Sequence, residues 1–270
     1  AILDAVAVSF GTFVNATGLS RGATLHRSDV RRYKARETRS NEMEEQYPLT
    51  IKTNGQIDSN TIDWKREFNK PNSTLTIKDS KQLTKYGEHI RDIVAKGEDT
   101  NLPLISYYGT GRLWAHKKVT KKKKKNETSR LSGYIDCLDS LSSYKAFESW
   151  YEYICKSEFE LKMEALEKEY MNFPDNEFST MRKALQKAVN QIISKSSGWE
   201  DIIYKQKNEA ITAKHSLLGE LTVSQLSDGI RSMIGLVADI AYRAIKLNPH
   251  LENAPEQTSG IILIDEIDMH

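Results

Sequence analysis

Ile261-Ile262-Leu263-Ile264-Asp265-Glu266 is the stretch whose reading decides the fold. It is a short, continuous, isoleucine-rich run that ends in two carboxylates. Such a run fits a strand buried on both faces. A buried strand ending in adjacent acids delivers them to a cleft at its carboxyl edge, where open α/β sheets bind ligands. One carboxylate can hold Mg²⁺ and its neighbour can orient or deprotonate an attacking water. Asp265 and Glu266 suit those roles in that order. An acidic pair here is also compatible with a strand end that simply meets solvent.

Upstream, Leu226-Ser227-Asp228-Gly229-Ile230-Arg231 opens an amphipathic helix. Ser227 stands where an N-cap is expected. Ile230, Met233, Ile234, Val237, Ile240, Ala241, Ala244 and Ile245 share one face, and Pro249 follows as a stop signal. The N-terminus of that helix can present backbone N–H groups to an anion. The same four residues, Leu-Ser-Asp-Gly, also read as an ordinary helix cap.

Taken together and in this order, the two stretches resemble the signature and Walker B motifs of ABC-type ATPases, the class that includes SMC, Rad50, RecF and OLD-like proteins. Leu226, Ser227 and Gly229 match the L-S-G-G-Q pattern. Asp228 replaces a glycine, Ile230 stands at the glutamine position, and Arg231 fits the SMC-like variants. Ile261 to Glu266 match Walker B throughout. A further stretch, Tyr107-Tyr108-Gly109-Thr110-Gly111-Arg112-Leu113, resembles a marker of predicted ATPases linked to virulence and anti-phage defence, including Septu-type and retron-linked systems. Glycines at a strand end allow close approach to a ligand. Arg112 could pair with a phosphate or a carboxylate, or sit on the rim of a turn.

The resemblance implies an α/β fold: a P-loop ATPase head with a central mixed sheet, flanking antiparallel strands and an inserted helical subdomain. It implies ATP and Mg²⁺ as cofactors, with Asp265 on the metal and Glu266 catalytic. Ser227, Asp228, Gly229 and Arg231 would meet a partner's nucleotide, so the active unit would be a homodimer or higher oligomer. A partner nuclease, often of HNH type, and DNA or retron nucleic acid are further implied; no H-N-H constellation is found in this sequence. His270 reads either as a residue near a neighbouring active site or as a surface histidine. Two other classes stay open: a RecF- or SMC-type DNA-repair ATPase, and a non-hydrolysing oligomerisation scaffold.

The chain has 270 residues, enough for a large core or a core with an inserted subdomain. Its 39 basic and 37 acidic residues nearly cancel, so a nucleic-acid site would have to be a local patch. Candidates are the basic run from His26 to Arg39 and the lysine-dense Lys117 to Lys125, either of which also fits a solvated segment. Cys137 and Cys155 have no metal-ligand spacing. The sequence has neither a signal peptide nor a membrane-length apolar run, and a cytoplasmic protein is the default expectation.

In chain order, Ile2 to Asn15 reads as one helix of the kind that follows a phosphate-binding loop. The loop G-x-x-x-x-G-K-[ST] is absent. Ala1 opens directly in a helical pattern, and Asp265 to His270 stop just beyond the acids. The sequence therefore reads as an internal piece of a longer chain, with the loop expected just before Ala1. Tyr47 to Ile77 predicts short strands, with Asn54-Gly55 as a hairpin turn and Leu75-Thr76-Ile77 as a further strand. Leu83 to Val94 marks a helix and Pro103 to Tyr108 a buried strand. Tyr134 to Ser196 predicts two helices broken at Pro174-Asp175, an antiparallel pair standing away from a sheet that contains 103–107 and 261–264. Phe159, Met163, Leu166 and Tyr170 form one stripe; Met181, Leu185, Ala188, Val189, Ile192 and Ile193 form the other. Ile202-Ile203-Tyr204 and Ala210-Ile211-Thr212 could pair across a turn. The expected divisions are residues 1–133, 134–196 and 197–270.

Overall fold

The computed structural model describes residues 2–34, 43–57, 60–110, 129–140, 145–168 and 174–267. It is a mixed α/β fold that divides into two compact units: residues 1–98 with 134–139, and residues 99–133 with 140–270.

In the first unit, α1 (Ile2–Ser9) and α2 (Gly11–Ala16) precede two short strands, β1 (Arg32–Tyr33) and β2 (Glu44–Glu45). A long hairpin of β3 (Leu49–Ile57) and β4 (Asn60–Phe68) follows, then α3 (Lys81–Ala95). The single helix expected over Ile2 to Asn15 is broken at Phe10. The cause lies on β4. Trp64 Nε1 donates to the Ser9 carbonyl (2.9 Å) and Arg66 Nη1 donates to the Val8 carbonyl (3.0 Å). Two last-turn carbonyls of α1 thus find side-chain donors, and the Arg66 cation faces the negative end of the helix dipole. Burial lowers the pKa of Arg66.

The hairpin does not turn at Asn54-Gly55. Both residues lie inside β3, opposite Asp63 and Ile62, and the ladder runs on to Ile57 opposite Asn60. Asn54 Nδ2 donates across the pair to Asp63 Oδ1 (2.8 Å). A Cβ on Gly55 would stand 3.0 Å from the Trp64 ring, so this glycine makes room for an aromatic cross-strand neighbour. Leu75 to Ile77 is not a strand either. Thr76 bonds along β4, its N–H to the Glu67 carbonyl (2.9 Å) and its hydroxyl from the Glu67 N–H (3.0 Å), while Ile77 is exposed.

The second unit holds β5 (Leu104–Tyr108), α4 (Lys145–Glu167), α5 (Glu177–Ser197), β6 (Trp199–Lys205), β7 (Ala210–His215), β8 (Gly219–Thr222), α6 (Asp228–Leu247), α7 (Ala254–Gln257) and β9 (Gly260–Ile264). β6, β7 and β8 form an antiparallel sheet, and β5 pairs with β9 in parallel. The helical pair packs on β6 and α6. Tyr151 and Ile154 of α4, Leu185, Val189 and Ile193 of α5, Trp199 and Ile202, and the inner face of α6 share one core. Asn176 caps α5 by accepting from the Ser179 N–H (2.9 Å), just past the expected break.

One stripe is not buried as expected. Phe159, Met163 and Leu166 are exposed, at 49%, 43% and 66%; Tyr170 lies outside the described residues. The face of α4 turned inward carries Phe147, Tyr151, Ile154 and then Glu158. Phe159 is one residue on, roughly 100° around the helix from that face. Glu158 points inward because Arg182 of α5 bonds both its oxygens, with Nη2 3.0 Å from Oε1, and Lys162 Nζ adds a third bond (2.7 Å). Burial alone would raise the pKa of Glu158, but these two cations outweigh it and hold it below the usual carboxylate range.

Candidate functional site

Tyr108 is the last residue of β5 and lies opposite Ile264 in the parallel ladder. β5 is buried along its whole length. β9 is not, which corrects the expectation of a strand buried on both faces: Ile261 is 42% and Ile262 39% exposed, and only Leu263 is buried.

The two acids leave the carboxyl end of this strand. The Asp265 N–H donates to the Tyr108 carbonyl (2.9 Å), extending the ladder one rung past the strand. Asp265 is half-buried. Glu266 is exposed and has a φ of +50°, a left-handed conformation that a non-glycine residue adopts in a tight turn. The chain therefore bends sharply at the second carboxylate. No group of three or more His, Cys, Asp or Glu side chains is placed to hold a metal among the described residues. A Mg²⁺ that takes one or two carboxylates and completes its shell with phosphate oxygens and water needs no such cage.

Ser227 occupies the N-cap position of α6 in extended backbone conformation, but its hydroxyl makes no capping bond. Its carbonyl accepts the Arg231 N–H (2.9 Å). Arg231 Nη2 pairs with Asp228 Oδ1 (2.8 Å), so the carboxylate that replaces a glycine of the pattern has a cation beside it. Nothing lies within 4 Å of where a Gly229 Cβ would be. Ser227, Asp228 and Gly229 are exposed, so the first turn of α6 faces solvent, which suits an anion. Arg112 and His270 lie outside the described residues, as do Lys117 to Lys125.

The structure adds residues that the sequence reading did not single out. α6 is buried on nearly all sides from Ala238 to Ile245, a wider face than the expected stripe. Asp239 and Arg243 sit within it as an ion pair, each side chain 3% exposed. Arg243 Nε donates to Asp239 Oδ2 (2.8 Å) and Nη1 to the Gly133 carbonyl (2.8 Å). Tyr108 Oη donates to the same Asp239 oxygen (2.8 Å). Burial, reinforced by the Asp239 charge, pushes the Tyr108 phenol well above its usual pKa, so it stays a neutral donor. Asp239 Oδ1 is buried with no hydrogen-bond partner. At the far end of α6, the Asn248 amide clasps Leu102: Oδ1 accepts its N–H (2.7 Å) and Nδ2 donates to its carbonyl (3.0 Å). Nδ2 also reaches Thr258 Oγ1 (3.0 Å), just before β9. The sequence did hold a signal: opposite charges four residues apart inside an otherwise apolar helix.

A mixed α/β fold whose parallel strand pair ends in acids and meets a long helix through Tyr108 and Asp239 is consistent with a P-loop ATPase-like architecture in general. The family comparison agrees: the family described as an AAA domain matches residues 1–222, and the chain belongs to it. Among individual proteins, it is 30% identical over 203 residues to Retron Vc95 probable ATPase of Vibrio cholerae serotype O1 biovar El Tor, a match covering 62% of this chain and 39% of that protein. It is 52% identical over 50 residues to Retron Ec83 probable ATPase of Escherichia coli, covering 18% of this chain and 9% of that protein. The matched segments thus span well under half of these relatives. No helix among the described residues is long and apolar enough to cross a membrane.

Proposed function

We propose that this chain is the catalytic part of an ATP-hydrolysing head in which Asp265 supplies a ligand to Mg²⁺ and Glu266 acts on the attacking water. The observation that carries the reading is the acid pair leaving the carboxyl end of β9, with the Asp265 amide fixed to β5. When bound with ATP, Mg²⁺ neutralises charge on the phosphates and orients them. The chain's own contribution is positioning. The half-buried Asp265 offers an oxygen ligand held by the ladder. The exposed Glu266 offers a carboxylate to orient a water and take its proton. Ser227, Asp228, Gly229 and Arg231 form the open turn of α6. In this reading that turn closes on the nucleotide of a second copy, with Arg231 leaving Asp228 for a phosphate, and Arg112 is a further phosphate contact.

The kinship to retron probable ATPases supports a retron-linked ATPase. We read its closure and opening as controlling an associated effector, an HNH-type nuclease in anti-phage defence, with DNA or retron nucleic acid as a further partner. The lengths of α4 and α5, 23 and 21 residues, support this reading over an ATPase with long coiled-coil arms.

The test is Glu266→Gln in the full-length protein. Size and part of the hydrogen bonding are kept, and the base is lost. ATP turnover is expected to fall by about 10²–10³, by analogy with loss of one well-placed transition-state group. Nucleotide affinity should hold, because Asp265 retains the metal duty. In Asp265→Ala the Mg²⁺-dependent affinity itself should weaken. Turnover of the Glu266→Gln protein at the parental rate would remove Glu266 from the mechanism.

A further inference from the structure

We infer that Tyr108 is a positioning residue that couples the signature helix α6 to the Asp265 turn. The inference rests on the hydrolytic reading above and deepens it. Tyr108 is bonded in two directions. Its carbonyl accepts the Asp265 N–H (2.9 Å), and its hydroxyl donates to Asp239 Oδ2 (2.8 Å) in the middle of α6.

The other links in the chain are short and buried. Asp239 lies twelve residues beyond Ser227, about 18 Å along one unbroken helix. A helix of that length moves as a rod, so a displacement at its open N-terminus reaches Asp239. Arg243 locks the orientation of Asp239 through Nε and holds the Gly133 carbonyl through Nη1. With 3% of either charged side chain exposed, water cannot substitute for a lost bond. Asp239 Oδ1 has no partner, so the carboxylate is held through one oxygen only. A small rotation of α6 about its axis therefore changes the Tyr108 bond before anything else compensates. Because Tyr108 stands on the last paired rung of β5, its backbone sets the height of the Asp265 amide above the sheet.

This assigns the buried charges a role that simple packing does not need. A leucine and a methionine at 239 and 243 would fill such a core without the desolvation cost of an ion pair. The pair instead offers an oriented acceptor on the helix at the level of the β5 carboxyl end. Closure at Ser227 and Gly229 and placement of Asp265 then become one event.

Tyr108→Phe in the full-length protein removes one oxygen and leaves the ring in place. Two independent readouts decide. The first is amide hydrogen exchange without nucleotide, followed in the peptides that cover 261–266 and 227–243. Exchange at the Asp265 amide should quicken several-fold, well beyond the rest of the chain, with only the modest fall in melting temperature that one lost buried hydrogen bond brings. The second is ATP turnover, where kcat should fall about tenfold with KM little changed, a size typical of coupling between sites. Asp239→Asn keeps an acceptor for the phenol but leaves the buried Arg243 cation without its carboxylate, so it should lower the melting temperature, and Tyr108→Phe is the variant that isolates the link. Parental exchange at 261–266 in Tyr108→Phe overturns the link, whatever the turnover. Altered exchange in a protein whose parent hydrolyses no ATP leaves the link standing and removes the hydrolytic reading beneath it. A lowered melting temperature with uniformly faster exchange would mean a purely structural hydroxyl and also overturns the proposal.

Discussion

At the scale of the residue, glycines separate what the fold needs from what a ligand needs. A Cβ on Gly22 would come 2.1 Å from the Gly11 carbonyl oxygen, a backbone atom that cannot step aside. Gly22→Ala should therefore destabilise the protein by about 1–3 kcal/mol, the usual range for overpacking. Gly229 is the opposite case. A Cβ there meets nothing within 4 Å, and it sits in the first turn of α6. Alanine at this position should leave stability unchanged or raise it by up to about 1 kcal/mol. In the proposed mechanism it should also weaken nucleotide-driven association, because the added methyl stands where a phosphate approaches. Urea unfolding of both variants, with ATP-dependent mass by light scattering for the second, checks the contrast. Equal destabilisation by the two substitutions would mean that the open space at Gly229 has no functional meaning.

At the scale of the element, the α4–α5 pair is organised by Glu158 as much as by apolar residues. Arg182 meets this carboxylate side-on, and the Glu158 side chain is 5% exposed. Arg182→Met would strand a nearly buried charge. The expected loss is up to about 3 kcal/mol, the low end for broken buried pairs, since Arg182 keeps some contact with solvent. The pH dependence follows from the lowered folded-state pKa of Glu158. The contribution is fully present above the unfolded carboxylate value, about pH 4.3, and is lost as pH falls through the lower folded value. Stability profiles of the parent and Glu158→Gln should therefore lie apart at neutral pH and converge in acid. Parallel curves across that range would show that the pair does not titrate with folding. The exposed stripe of Phe159, Met163 and Leu166 belongs to this same element. Helical spacing made it visible in the sequence, but which of two neighbouring faces turned inward depended on Arg182, twenty-four residues further on.

At the scale of the whole molecule, the proposed head acts as a pair. Full-length protein should gain mass in ATP and Mg²⁺, and return to the starting species after hydrolysis. Ser227→Trp should leave binding of nucleotide to a single head in place and block the gain in mass, since a bulky ring at the N-cap obstructs the open turn of α6. Light scattering with and without ATP reads both. Unaltered ATP-dependent association of the Ser227→Trp protein would move the contact surface elsewhere.

The sequence by itself determined the elements whose signals are local. The break at Pro174-Asp175 came just before α5, Pro249 followed the end of α6, and the runs at 103–108 and 261–264 became β5 and β9. Ser227 fell at the N-cap because extended backbone before a helix is a property of a few neighbouring residues. Tertiary structure decided whatever depended on a distant partner. Asn54-Gly55 has the chemistry of a turn, yet Trp64 across the hairpin claims the space above Gly55 and draws it into a strand. Ile2 to Asn15 has the periodicity of one helix, yet donors from Trp64 and Arg66 take its carbonyls and divide it. The parallel pairing of β5 with β9 joins residues more than 150 apart. The Tyr108–Asp239–Arg243 network was written in the sequence only as an odd pair of charges in an apolar helix. Its connection to Asp265 required the sheet, because only a ladder places one residue's carbonyl under an amide so far along the chain.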